Sequence, residues 1–235
     1  VVSDITFDAG GEIKDYDFFE AKIESKYRLT YAEVEEAILR KKEIGSASVN
    51  ESIDALKELT VILLEKRAKR NALEIESSEP ILKINNLGEV EAINLSRRMF
   101  AHQMIEEAMI AANICAIMFV KSSLEISINR FHDKPDTDKL LALFEKFQSF
   151  GLRKSDDPII LLQRCIEIAK RSENATSLQS LILQGLPRAI YSSKKSGHFG
   201  LQLEEYSHFT SPIRRYPDLI IPVSYTHLRA HETDL

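Results

Sequence analysis

The chain has little of what would place it in several common classes. Of its 235 residues only two are cysteine. Cys115 and Cys165 lie far apart in apolar helical patterns, so they read as reduced core thiols of a cytoplasmic protein, not as a disulfide or a metal site. A surplus of positive charge is also missing. The formal net charge is −5, which excludes a protein held on a polyanion by bulk charge and makes any such grip local. The longest apolar run, near Met109–Val120, is interrupted by Asn113 and is too short to cross a bilayer. We find no signal peptide, no internal repeat and no low-complexity segment.

What is present suits a folded domain, and we expect a monomer. The chain is 44% apolar and 29% charged, enough for one large core or two small ones. Ile5 and Phe7 alternate with polar neighbours, Asp8–Ala9–Gly10–Gly11 follows, and Ile13 to Phe18 resumes, which predicts a hairpin. Thr30 and Glu33 make a capping box for a helix carrying Val34, Ala37 and Ile38. Asn50 is placed to cap a second helix, through Leu56 and Leu63 to Arg70. The cations at its end, Lys66, Arg67, Lys69 and Arg70, either compensate the helix C-terminus or face a polyanion. Leu73 to Ile75, Ile81 to Ile84 and Val90 to Ile93 read as strands around a turn. Ser96 is expected to start a buried helix to Val120, with further helices over Pro135 to Phe147, Pro158 to Lys170 and Leu178 to near Tyr191. Gly185 and Pro187 bend or break the last. Strands early and helices late give an α+β fold, with antiparallel strands and several packed helices.

The chemistry concentrates near the end. Gly197–His198–Phe199–Gly200–Leu201 precedes His208–Phe209–Thr210–Ser211–Pro212–Ile213–Arg214–Arg215–Tyr216–Pro217–Asp218. Two adjacent guanidiniums present planar forks that match phosphate oxygens, and Pro212 sets the backbone before them. Arg215 serves either a phosphate or Asp218, and Asp218 is read as a cap for the next helix. His132 with Asp133, Asp136 and Asp138 superficially resembles a metal cluster. The acidic residues are assigned instead to the following helix N-terminus.

This loop closely resembles the C-terminal signature of the ribonuclease II/ribonuclease R family. Four other segments agree: Ile13 to Phe19 with Ile23 to Tyr31; Ile105–Glu106–Glu107–Ala108–Met109–Ile110–Ala111–Ala112–Asn113; Arg130–Phe131–His132–Asp133–Lys134–Pro135, in the ribonuclease R version; and Gln179–Ser180–Leu181 through Tyr191. The resemblance implies a partial RNB catalytic domain over residues 1–221. It implies a processive, hydrolytic 3′-to-5′ exoribonuclease that uses Mg²⁺ and releases nucleoside 5′-monophosphates from single-stranded RNA entering by its 3′ end.

Carried over residue by residue, Arg214 is the catalytic group that meets phosphate near the scissile bond. Glu106 and Tyr31 contact ribose hydroxyls, the feature that separates RNA from DNA. Asn113, His208, Ser211, Arg215 and Tyr216 complete the RNA-binding set, with no metal ligand in this chain. Glu106 also reads as half of a buried ion pair and Tyr31 as a core aromatic. Ile75 stands where the family has a stacking phenylalanine. The family's Mg²⁺-holding aspartates and its cold-shock and S1 RNA-binding domains are not in this sequence, so the chain is expected to be an inactive fragment. The alternative is a catalytically dead RNB-type RNA-binding or regulatory protein. Residues 222–235 show no apolar period and resemble a translated adaptor or vector segment; His227 and His231 there have helical spacing but no other ligand beside them.

Overall fold

A computed structural model describes residues 1–40, 42–75, 80–95, 98–123 and 127–221. In chain order its elements are β1 (Val2–Phe7), β2 (Ile13–Phe19), α1 (Tyr31–Arg40), α2 (Ala47–Lys69), β3 (Pro80–Ile84), β4 (Val90–Leu95), α3 (Phe100–Ser123), β5 (Asn129–Phe131), α4 (Thr137–Gln148), α5 (Pro158–Arg171), α6 (Ala175–Gly185) and β6 (Ile190–Ser192). A short 3-10 turn covers Phe199–Leu201, and 216–221 begins a further helix. Among the described residues the strands pair in twos, each pair antiparallel: β1 with β2, β3 with β4, β5 with β6. The fold is α+β. The chain forms two compact units, one of Val1–Ala72, Phe100–Asp133 and Ala189–Leu235, the other of Leu73–Met99 and Lys134–Arg188.

In the first unit the β1–β2 hairpin closes where the sequence predicts. Asp8 Oδ1 accepts the N–H groups of Gly10 and Glu12, both at 2.9 Å. Gly11 takes a positive φ of 78°, and a Cβ there would lie 2.8 Å from Ile62 Cγ2, so both the turn and the helix behind it need glycine. The hairpin delivers Phe18 to the core, 2% exposed, against the rings of Phe119 and Phe209. Burying such a side chain contributes about 1.5–3 kcal/mol. Cys115, Ala116, Val120 and Ile221 complete that cluster.

The source of the core is α3, which is apolar around most of its circumference. By length and composition its residues Phe100–Ser122 could span a membrane, contrary to the length expected from the apolar run near Met109–Val120. Within its unit it is a core helix: Cys115 and Ile117 are fully buried, and so are the polar Glu107 and Asn113. Its predicted start at Ser96 lies outside the described residues. The Ala101 N–H in its first turn donates to Glu35 Oε2 at 2.9 Å, a cap supplied by α1.

Of two capping expectations for this unit, one holds and one changes. Thr30 and Glu33 do form the reciprocal box, Thr30 N to Glu33 Oε2 at 2.7 Å and Glu33 N to Thr30 Oγ1 at 3.3 Å. Asn50, however, does not cap α2, which begins at Ala47 after Ser46. Its amide closes the preceding loop instead, accepting from Ile44 N and donating to Ser46 O. At its other end, α2 terminates in Asn71 with φ 60°, the left-handed geometry asparagine tolerates.

In the second unit Leu73–Ile75 is not a strand; Leu73 is buried, and Glu74 is paired with Arg98 and Lys170. Pro158 opens α5 at its first position, and Asp157 Oδ1 accepts from Ile159 N and Ile160 N at 2.8 and 3.4 Å. Ile159, Leu162, Cys165, Ile166 and Ala169 form its buried stripe. By contrast α4 starts at Thr137, two residues after Pro135, and Asp136 makes no side-chain cap. The stripe starting at Leu178 ends as helix at Gly185, and Ile190–Ser192 is a strand: Pro187 lacks the N–H that would continue the ladder.

Candidate functional site

The first unit carries the residues assigned to the site. β5 and β6 pair Arg130 with Tyr191, and Arg130 lies over the Tyr191 ring with Cζ 4.7 Å from its centroid. Tyr191 Oη meets His208 Nδ1 at 2.8 Å. From there the chain runs into the loop ending at Asp218.

That loop is held from both ends. Upstream, Asn113 on α3 is 2% exposed and uses both ends of its amide: Nδ2 donates to Tyr206 Oη at 2.9 Å, and Oδ1 accepts from Phe209 N at 2.8 Å. Its amide is thus an internal clamp on the loop. Downstream, Asp218 is fully buried in the first turn of the helix over 216–221. Its Oδ1 accepts from Ser211 N and from Nε and Nη2 of Arg215. Asp218 thus anchors the loop rather than capping the helix, and of the two readings for Arg215 the structure displays the ion pair.

Between these anchors the side chains are presented outward. Ile213 and Tyr216 are 101% and 74% exposed. Arg214 is exposed, with Nη2 3.4 Å from Ser211 Oγ. Ser211 also accepts the backbone N–H groups of Arg214 and Arg215 on its carbonyl. Tyr31 is not a core aromatic: it is 45% exposed, its ring 4.1 Å from that of His102.

Burial was expected for Glu106 and belongs to its neighbour. Glu107 is 3% exposed, while the Glu106 side chain is 37% exposed. One residue of helix turns the side chain by about 100°, enough to separate an inward from a rim position. Arg67 Nη1 reaches both carboxylates, at 2.8 Å and 2.7 Å.

The histidine rings here are held by internal hydrogen bonds. His132 Nδ1 accepts from Gly200 N and His198 Nδ1 from Leu201 N, so both rings keep Nδ1 unprotonated. Burial, with the neighbouring His132, pushes His198 down to about 3; burial, with Arg215, pushes His208 down to about 4. Neither is charged near neutral pH. No group of three or more His, Cys, Asp or Glu side chains among the described residues is arranged to hold a metal.

Sequence reasoning overlooked Tyr206 as part of the site, and for Arg67 and Arg70 offered only a helix-end cation or a polyanion contact. Arg67 and Arg70 turn inward, Arg70 Nε donating to Leu201 O at 2.9 Å, so neither is a simple cation at a helix end. The missed signal is spacing: Thr60, Leu63 and Arg67 occupy one face of α2, and all three are buried. Ile75, in the other unit, is half-buried.

Comparison with known proteins adds a family. The RNB domain model matches residues 1–228. Ribonuclease R of Escherichia coli K12 is 34% identical over 238 residues, covering 99% of this chain and 29% of the relative. Ribonuclease R of Thermotoga maritima is 35% identical over 227 residues, covering 93% and 31%. The chain thus spans about a third of the length of these relatives. Among solved structures, Mycoplasma genitalium RNase R in complex with double-stranded RNA superposes with a TM-score of 0.87 at 27% identity, over 97% of this chain and 42% of that one. The same enzyme with ribose methylated single-stranded RNA gives 0.82 at 28% identity, over 92% and 35%. Yeast Ssd1, a pseudonuclease, shares the fold at 19% identity, with a TM-score of 0.63 over 93% and 27%. On the family match and these relatives, the chain belongs to the RNB domain family.

Proposed function

We propose that this chain is the RNA-end-binding part of a processive, hydrolytic 3′-to-5′ exoribonuclease acting in the cytoplasm. The observation that carries this reading is the anchored loop: Asn113 and Asp218 fix its two ends, and Arg214 stands exposed between them. A fixed guanidinium is suited to a phosphate, and to charge that grows on it during hydrolysis. Tyr31 and Glu106 serve ribose hydroxyls. Tyr216, Ser211 and the partly buried His208 line the approach, and Arg215 acts from behind through Asp218. That RNase R neighbours hold single- and double-stranded RNA supports RNA as the ligand.

Among the described residues no cluster of His, Cys, Asp or Glu side chains fits a magnesium ion. The chain alone is expected to bind single-stranded RNA without degrading it. A second reading is an RNB-type RNA-binding protein without catalysis; the fold is also that of yeast Ssd1, a pseudonuclease. An acidic D-x-x-x-x-x-D-x-D-D-like segment upstream in the gene distinguishes the enzyme from the binder.

The test is fluorescence anisotropy with a labelled oligoribonucleotide. Arg214→Ala is expected to weaken binding about tenfold, the loss of one charge-assisted contact, and to flatten the salt dependence by about one phosphate. Unchanged affinity in Arg214→Ala sinks the assignment. RNA hydrolysis by the purified chain with Mg²⁺ sinks the expected inactivity.

A further inference from the structure

Arg67 lies on the inward face of α2 and is 8% exposed. A cation at that depth requires anions beside it. It has two, both reached by the same nitrogen: Nη1 donates to Oε1 of Glu107 at 2.7 Å and to Oε1 of Glu106 at 2.8 Å. The carboxylates differ in position. Glu107 is enclosed at 3% exposure and neutralises Arg67 from within, while Glu106 extends to 37% exposure, where a ligand can meet it. Burial opposes the charge on Arg67, but the hydrogen bonds to Glu106 and Glu107 outweigh it and hold its pKa above the usual arginine value. Its Nε is buried with no hydrogen-bond partner among the described residues, so the orientation of the guanidinium rests on the carboxylate side.

We propose that Arg67 is a positioning residue for ribose recognition, fixing the Glu106 carboxylate as an ionised acceptor for a 2′-hydroxyl. This rests on the reading of Glu106 as a ribose contact. A free glutamate side chain loses about 1.5–2 kcal/mol of rotamer freedom when it is fixed. Arg67 takes that loss before RNA arrives, so the acceptor is aimed in advance. DNA lacks the hydroxyl and leaves the aimed carboxylate without its donor. Discrimination of this kind comes from a polar group left unpaired by the wrong ligand. A loosely held Glu106 would swing to water and discriminate less.

The experiment measures anisotropy of this chain with a labelled oligoribonucleotide and with the 2′-deoxy oligonucleotide of the same sequence. The readout is the ratio of the DNA to the RNA dissociation constant. Glu106→Gln is expected to lower this ratio about tenfold. The double variant Arg67→Gln/Glu107→Gln removes cation and inner anion together, leaving no orphaned buried charge. It is expected to lower the ratio by a similar factor while changing DNA affinity less than about twofold. Arg67→Lys, which keeps the charge without the planar fork, is expected to recover part of the ratio. A wild-type ratio near one, or a wild-type ratio in Glu106→Gln, removes the ribose reading itself. If Glu106→Gln collapses the ratio and both Arg67 variants keep it, the positioning role of Arg67 is overturned. A cooperative melt confirms that each variant is folded; should the double variant not fold, Arg67→Lys against Glu106→Gln decides.

Discussion

Asp218 holds Arg215 and Ser211 on a single oxygen. Its Oδ1 accepts from Ser211 N at 2.8 Å, Arg215 Nε at 3.0 Å and Arg215 Nη2 at 2.6 Å, while Oδ2 is buried without a hydrogen-bond partner among the described residues. Removing one member of a buried pair strands the other. Asp218→Ala is expected to cost about 3–5 kcal/mol, read from the urea midpoint. Ile213→Ser, at the exposed tip of the same loop, is expected to change stability by less than about 0.5 kcal/mol. Equal effects of the two would show that the loop is not anchored this way.

Asn113 makes a second, separable anchor. Asn113→Leu keeps the volume but leaves Tyr206 Oη and Phe209 N without their amide partner. Each stranded buried group costs about 1–3 kcal/mol, so for the two a loss of about 2–6 kcal/mol is expected in equilibrium unfolding. Weaker RNA binding should accompany it, because Phe209 leads into the loop. A variant as stable as wild type would rule out the clamp.

The two depressed histidines predict a direction for acid sensitivity. His198 falls from 6.5 to about 3 and His208 from 6.5 to about 4. Between those limits the unfolded chain binds protons that the folded chain refuses. Their contribution is therefore full above about pH 6.5 and is lost as pH falls toward the folded values. His198→Asn preserves an acceptor for Leu201 N and cannot titrate. Its urea midpoint should fall less than that of wild type between about pH 6.5 and pH 5. An unaltered slope would contradict the burial of His198.

The thiols offer a simpler check. Burial pushes Cys115 up to about 11 and Cys165 up to about 12. Since the thiolate is the reactive form, neither should label with a thiol reagent in the native chain, and both should label once it is unfolded. Native labelling of either would place it outside the core described above.

Local chemistry was the legible part of this fold. The Asp8–Gly11 turn, the Thr30–Glu33 box and Pro158 after Asp157 each announce an element through residues within a few positions of one another. Asn50 shows the limit: it has the right chemistry for a cap, but Ser46 begins the helix and the amide serves the loop before it. Leu73 to Ile75 has strand composition and no strand partner among the described residues. At the site, the motif loop was readable as a block. The choice between Glu106 and Glu107 was not, because adjacent residues differ by a helical rotation that only the position of Arg67 resolves, and Arg67 lies 39 residues away. Asn113 likewise carried the motif's identity without revealing that its partners, Tyr206 and Phe209, are in this same chain.

The pairing of β5 with β6 sets Phe131 opposite Ile190. The polypeptide therefore departs from the first unit after Asp133 and re-enters at Ala189 on neighbouring strands, with residues 134–188 strung between two adjacent points. Cross-strand partners are only about 5 Å apart, so a connector of a few residues would bridge the gap. Such closely spaced exit and return points are where whole segments can be spliced in or trimmed out. The ladder is thus a seam, at which the two ends of that segment are stitched side by side.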